Sequence, residues 1–160
     1  MPLPDDTREL LRTVLQRQPV AALATLHGGV PAASMVPYAL MPDGRLVIHV
    51  SRLATHTGDM QTAPQVALLV TAPEDTAPTP LALPRISLQG HAQVCSPDHP
   101  DHDTARALYQ ARFPDSEPMF GFGDFSLFLV VPDQVRFVAG FGKAHALTGA
   151  AWQVLVADPA

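Results

Sequence analysis

Apolar positions along the chain recur with two periods, and the change between them sets the expected architecture. In "DDTRELLRTVLQRQ", Leu10, Leu11, Val14 and Leu15 recur at helical spacing, with Asp5, Asp6 or Thr7 as N-cap candidates, and Pro19 ends the segment. Beyond it the pattern alternates. "VAALATLH" and "PAASMVPYALM" flank a Gly28-Gly29 turn and read as a hairpin, and "PDGR" (Pro42 to Arg45) is a second turn before the strand "LVIHVS". Leu53 to Ala63 contains Gly58 and stops before Pro64, which predicts a short helix, and "QVALLVTA" is a further strand. "PEDTAPTPLALP" has four prolines in twelve residues and predicts a loop. "RISLQGHAQV" alternates as a strand, with Gly90 at a bulge or close approach. A turn at "SPDHPD" leads to a helix at "HDTARALYQARF", and "PDSEPMFGFGD" is a loop. "FSLFLVV" and "QVRFVAGFG" read as two strands around a "PD" turn, and "AWQVLVA" as a closing strand.

Hairpin-length turns between successive strands mean antiparallel pairing, and closure of the sheet would remove its exposed edges. The expected fold is therefore mainly β, an antiparallel β-barrel with peripheral helices. It forms one domain over 1–160, with a helix within 1–18, the barrel core over 20–147 and a strand or tail over 148–160.

Composition narrows the function classes. Apolar residues make up 47% and charged residues 16%, the balance of a globular chain long enough to bury a core. A net charge of −5 without a basic run argues against a nucleic-acid or anionic-membrane partner. No apolar run approaches the ~18 to 20 residues that span a bilayer, and no secretory pattern opens the chain, so a cytoplasmic protein is expected. Cys95, the one cysteine, excludes an internal disulfide and reads as a buried structural residue. In "DHPDHD", His99 and His102 lack the spacing of a helical zinc motif, so no metal is expected and the stretch reads as a solvated turn and cap. There is no G-x-S-x-G elbow and no phosphate loop, so any catalysis would come from a cofactor.

One joint gathers anion-binding chemistry. In "LVIHVSRLATHTGDM" a strand ends at Val50-Ser51-Arg52 and a short helix follows with His56-Thr57. A helix start offers free N–H groups, Ser51 and Thr57 offer hydroxyls, Arg52 a bidentate guanidinium and His56 an imidazole. A plain helix cap with a solvated arginine accounts for the same residues. His49 alternates with apolar neighbours and reads as a core or interface histidine hydrogen-bonded to backbone.

Several stretches together resemble the FMN-binding split-barrel superfamily related to pyridoxamine 5′-phosphate oxidase, and within it the HugZ-type, haem-utilisation-related branch. They are "ALATLHGGVPAASMVPYAL", "LVIHVSRLATHTGDMQTAPQVALLV", "PRISLQGHA", "GDFSLFLV" and "VRFVAGFGKA", in family order from about Val20 to Ala146. The resemblance implies FMN, with its phosphate at Val50, Ser51, Arg52, His56 and Thr57. It places Ser34, Met35, Val36 and Pro37 along the flavin edge, and Arg85 reaching the cofactor across a homodimer interface. Lys143, the one lysine, could supply a further charge. His56-Thr57 stands where the oxidases carry Arg-Lys, which lowers the fixed positive charge.

Three functions follow from the resemblance. The first is a flavin-dependent oxidoreductase acting on a small molecule, with FMN rather than a deazaflavin as its cofactor. The second is a haem-binding protein of the HugZ type, with His91, His145 or His49 as the available imidazoles. The third is a non-enzymatic flavin-binding protein.

Overall fold

The computed structural model describes residues 2–157. Helix α1 (Asp5–Arg17) starts with Asp5 and Asp6 inside its first turn, where their charge suits the helix dipole, and no side chain caps it. Leu11, Val14 and Leu15 are buried, as their spacing predicts. The strands are β1 (Val20–His27), β2 (Val30–Pro37), β3 (Ala39–Leu40), β4 (Leu46–Ser51), β5 (Gln65–Thr71), β6 (Arg85–Val94), β7 (Phe125–Gly140) and β8 (Lys143–Thr148). All pairs are antiparallel, in the order β2-β1-β5-β6-β7-β4-β3, with β8 on β7. The sheet curls until β2 comes back beside β4 without a ladder between them, which makes a split barrel. The Gly28-Gly29 turn has φ of 58° and 82°, positive at both central positions as a tight hairpin requires.

Three expectations are corrected. β7 is one continuous strand through Pro132 and Asp133, with no turn. Pro132 lies opposite Gly90, where the β6–β7 register shifts, so its missing N–H interrupts the ladder at a bulge. A Cβ on Gly90 would stand 2.1 Å from the Val131 carbonyl oxygen, which is why glycine occupies the expected close approach. The eighth strand is Lys143–Thr148, and "AWQVLVA" lies in helix α5 (Gly149–Ala157) rather than a closing strand. The Thr148 hydroxyl accepts from Ala151 N–H (3.1 Å) at the helix start, and Trp152 and Leu155, three residues apart, turn to the core. Trp152 Nε1 donates to the Gly44 carbonyl (2.8 Å) and locks α5 against the "PDGR" turn. Of the expected strand or tail, residues 158–160 lie outside the described residues. The loop before β7 contains one more helical turn, α4 (Glu117–Phe120).

Two apolar cores result. The larger fills the barrel and takes in α1, α5 and Met60 of α2 (Thr55–Thr62). The smaller lies between the outer face of β3, β4 and β7 and helix α3 (His102–Arg112), and includes the buried Cys95. Arg112 of α3 reaches back to the carbonyls of Gln16 and Gln18 at the end of α1, with its guanidinium 4.7 Å above the Tyr38 ring. Tyr38 donates to the Leu15 carbonyl (2.6 Å), and burial pushes its pKa up to about 12. Among the described residues no helix is long and apolar enough to cross a membrane, and no metal-ligand cluster forms.

Candidate functional site

The β4–α2 joint is stitched to the loop that precedes β7. Ser51 pairs with Phe125 at the strand ends, and Arg52 N–H donates to the Asp124 carbonyl (2.6 Å). The Ser51 hydroxyl donates to the Asp124 carboxylate (3.1 Å) and accepts from Leu53 N–H (3.1 Å). The Arg52 guanidinium turns to the Gly123 carbonyl (2.7 Å), and the Thr57 hydroxyl donates to the Ser51 carbonyl (2.6 Å). Val50 is buried in the barrel. Burial lowers the pKa of His56, with the Asp59 charge opposing, so this imidazole is neutral at physiological pH. Ser51, Arg52 and Thr57 thus each make a side-chain contact within the chain, Ser51 to a carboxylate. What the joint still offers an anion is the N–H groups that open α2, the His56 ring and the remaining guanidinium N–H donors of the exposed Arg52.

The other predicted residues lie elsewhere. Ser34 sits in β2 opposite Leu23, and its hydroxyl is buried without a hydrogen-bond partner. Met35 is 62% exposed on the outer face, Val36 is buried, and Pro37 ends the strand. Arg85 donates to the carbonyls of Leu81 (3.2 Å) and Leu83 (2.9 Å), so it holds the proline-rich loop onto the sheet. Lys143 is exposed at the start of β8. Arg85 pairs with Val138 while Ser51 pairs with Phe125, thirteen positions apart along β7 (138 − 125). At ~3.3 Å per residue that is roughly 40 Å along the strand path. One chain therefore does not bring Arg85 and Lys143 to the joint.

Sequence reasoning missed a second polar constellation. Asp59 on α2 is 6% exposed; its carboxylate accepts from Thr25 Oγ1 (2.8 Å) and lies 2.6 Å from His27 Nδ1. The His27 hydrogen bond is the main cause holding the Asp59 pKa below the usual carboxylate range; burial opposes it and Thr25 adds to it. The His27 side chain is itself 65% exposed, so a carboxylate fixes one ring nitrogen while the rest of the ring stands open. Thirty-two residues separate the pair, and no local motif marks it. Nor does any local motif mark Asp124 as the partner of Ser51, seventy-three residues away.

Residues 7–139 match the family model for pyridoxamine 5′-phosphate oxidase. The chain is 35% identical over 145 residues to a chloroplastic heme oxygenase, HOZ, of Arabidopsis thaliana, covering 88% of this chain and 43% of that protein. It is 28% identical over 136 residues to the heme oxygenase HutZ of Vibrio cholerae, covering 84% of this chain and 77% of that one. Among solved structures, a heme binding protein from Mycobacterium smegmatis superposes with a TM-score of 0.84 at 29% identity, over 95% of this chain and 62% of that chain. The chain thus spans less than half of the Arabidopsis relative and 62% of the Mycobacterium one. Fold and sequence agree: the chain belongs to the pyridoxamine 5′-phosphate oxidase family, and its similarities run to the HugZ/HutZ-type branch.

Proposed function

We propose that this chain is a haem-binding protein of the HugZ/HutZ type. The relatives named for haem match 84% and 88% of it. The observation that carries the choice of haem over FMN is the joint, where the Asp124 carboxylate holds Ser51 and the Arg52 guanidinium is turned onto a carbonyl. A charged phosphate would have to displace these contacts and face a like charge.

Haem, when bound, supplies a redox-active iron. The chain's own contribution is an imidazole prepared for it. His27 has Nδ1 held by buried Asp59, an arrangement that fixes tautomer and ring orientation and leaves Nε2 to face outward as a ligand. Of the imidazoles expected from sequence, His49 is buried under aromatic rings, and His91 has longer contacts at both ring nitrogens, to exposed Asp133 (3.3 Å) and to the Gln93 amide (3.5 Å).

The same proposal includes a homodimer. The outer face of β2, β1 and β5 presents Met35, Ala22 and Leu69 in register, with Met35 62% and Leu69 41% exposed. Covering this face with a second copy would bury it and let Arg85 and Lys143 approach the partner's cofactor wall of Ser34, Met35, Val36 and Pro37.

Haem titration followed by absorbance tests the reading. A saturable Soret band that shifts or weakens in His27→Ala supports it, and no band in the folded wild type contradicts it. A second reading, a flavin-dependent oxidoreductase or flavin carrier, draws on the unpartnered Ser34 hydroxyl. FMN retained through gel filtration would favour it.

A further inference from the structure

Between the outer face of β4 and β7 and the start of α3 lies a cavity of about 260 Å³, lined by His49, Cys95, His102, Arg106, Phe120 and Ser126 among others. His49 is only 9% exposed and has ring contacts but no hydrogen-bond partner. Phe120 stacks on it with centroids 3.8 Å apart and planes 7° from parallel; Phe125 and Tyr109 pack at 5.1 and 5.7 Å. The imidazole has no hydrogen-bond partner in the protein and faces the cavity, so its ring nitrogens are offered to whatever occupies that space. Burial, then the charges of Arg106 and His102, lowers its pKa to about 4, so the ring is neutral and offers one N–H and one lone pair.

The surroundings favour an anion. Arg106 lies over the far side of the region, its guanidinium 4.8 Å from the Phe120 centroid, and makes no ion pair among the described residues. His102 opens α3 and sits where the positive end of the helix dipole points. No carboxylate lines the space. Asp101 is engaged by Arg45 (2.8 Å), and the Asp103 side chain stands fully in solvent, 3.5 Å from His102. Burial raises the Cys95 pKa, so its thiol stays protonated and adds no charge. Phe120, Phe125, Val94 and Leu127 supply apolar walls. The volume falls below the roughly 300–1,000 Å³ of drug-sized sites, so neither a flavin nor a porphyrin fits.

We infer that this cavity binds a small planar carboxylate, an aromatic or conjugated monoacid. Its carboxylate meets Arg106 and the start of α3, its body packs between Phe120, Phe125 and Leu127, and His49 provides the buried hydrogen bond. The site stands apart from the cofactor reading and does not rest on it. It adjoins the joint all the same, since Phe125 pairs with Ser51 two residues beyond His49.

The test uses the full chain with ring-labelled histidine, observed by NMR as benzoate is added, with benzyl alcohol as the neutral control. The inference predicts a saturable shift of the His49 resonances in the millimolar range or below with benzoate and none with benzyl alcohol. Arg106 is surface-exposed, so Arg106→Gln folds, and it should weaken benzoate about tenfold, the loss of one charge-assisted contact. Three results would overturn the inference: no saturable shift of His49, equal binding of benzyl alcohol, or unchanged benzoate affinity in Arg106→Gln.

Discussion

Two buried polar residues define the chemistry at the scale of single side chains, and both lose stability as pH falls. Asp59 has its folded pKa depressed, so its contribution is complete above the unfolded value of ~3.9 and is lost as pH falls through the folded value. Asp59→Ala also leaves the Thr25 hydroxyl, 4% exposed, without its acceptor. It should lower the urea midpoint near neutral pH, with the gap to wild type narrowing in acid, as urea melts across pH would show. His49 is a histidine whose folded pKa is also lowered, to about 4. Between about 6.5 and 4 the unfolded chain binds the proton and the folded one does not, so stability falls as pH drops through that window. His49→Phe keeps the ring stack with Phe120 and should flatten this slope, by on the order of 2 kcal/mol across the window once access to water through the cavity is allowed for. Little of this was legible in the sequence. Alternation placed His49 in a core, but Phe120 and Arg106 come to it from more than fifty residues away. The joint residues Ser51, Arg52 and Thr57 were legible as an anion-binding set by type. What residue type does not carry is that Asp124, Gly123 and the Ser51 carbonyl satisfy them.

The elements that read correctly are those whose pattern admits one period. α1 buries the face its spacing marks, and the Gly28-Gly29 hairpin forms where two residues with positive φ are needed. Those that read wrongly carry a local signal overruled by a distant contact. "AWQVLVA" reads as a strand by its apolar positions, but it forms a helix from which Trp152 donates to the Gly44 carbonyl, a contact no local pattern encodes. Trp152→Phe should lose that bond and destabilise by about 1 kcal/mol while leaving helix content unchanged by circular dichroism. Gly44 is held twice, by φ of 86° and because a Cβ would approach Trp152 Nε1 to 2.8 Å. "PD" is a turn signal that β7 absorbs because Pro132 falls at the bulge opposite Gly90. Gly90→Ala drives a methyl against the Val131 carbonyl, and should cost roughly 2–4 kcal/mol, read as a lower denaturant midpoint with an unchanged slope.

The whole molecule is a split barrel whose outer sheet face is uncovered on one side and buttressed by α3 on the other. If a second copy covers the face of Ala22, Met35 and Leu69, light scattering will give twice the 17.1 kDa chain mass, and Ala22→Arg will return it to one. The fold was legible because strand alternation and turn chemistry agree along nearly the whole chain. The cofactor was not, because the same barrel serves both readings and the choice depends on how the joint's side chains are used. The most direct test of that choice is one absorbance experiment in which the purified protein is titrated in parallel with haem and with FMN. The account predicts a Soret band that saturates at a fixed haem-to-chain ratio, is altered in His27→Ala, and survives gel filtration where FMN does not. Flavin bands that persist through the column, with no saturable Soret change on haem addition, would contradict it.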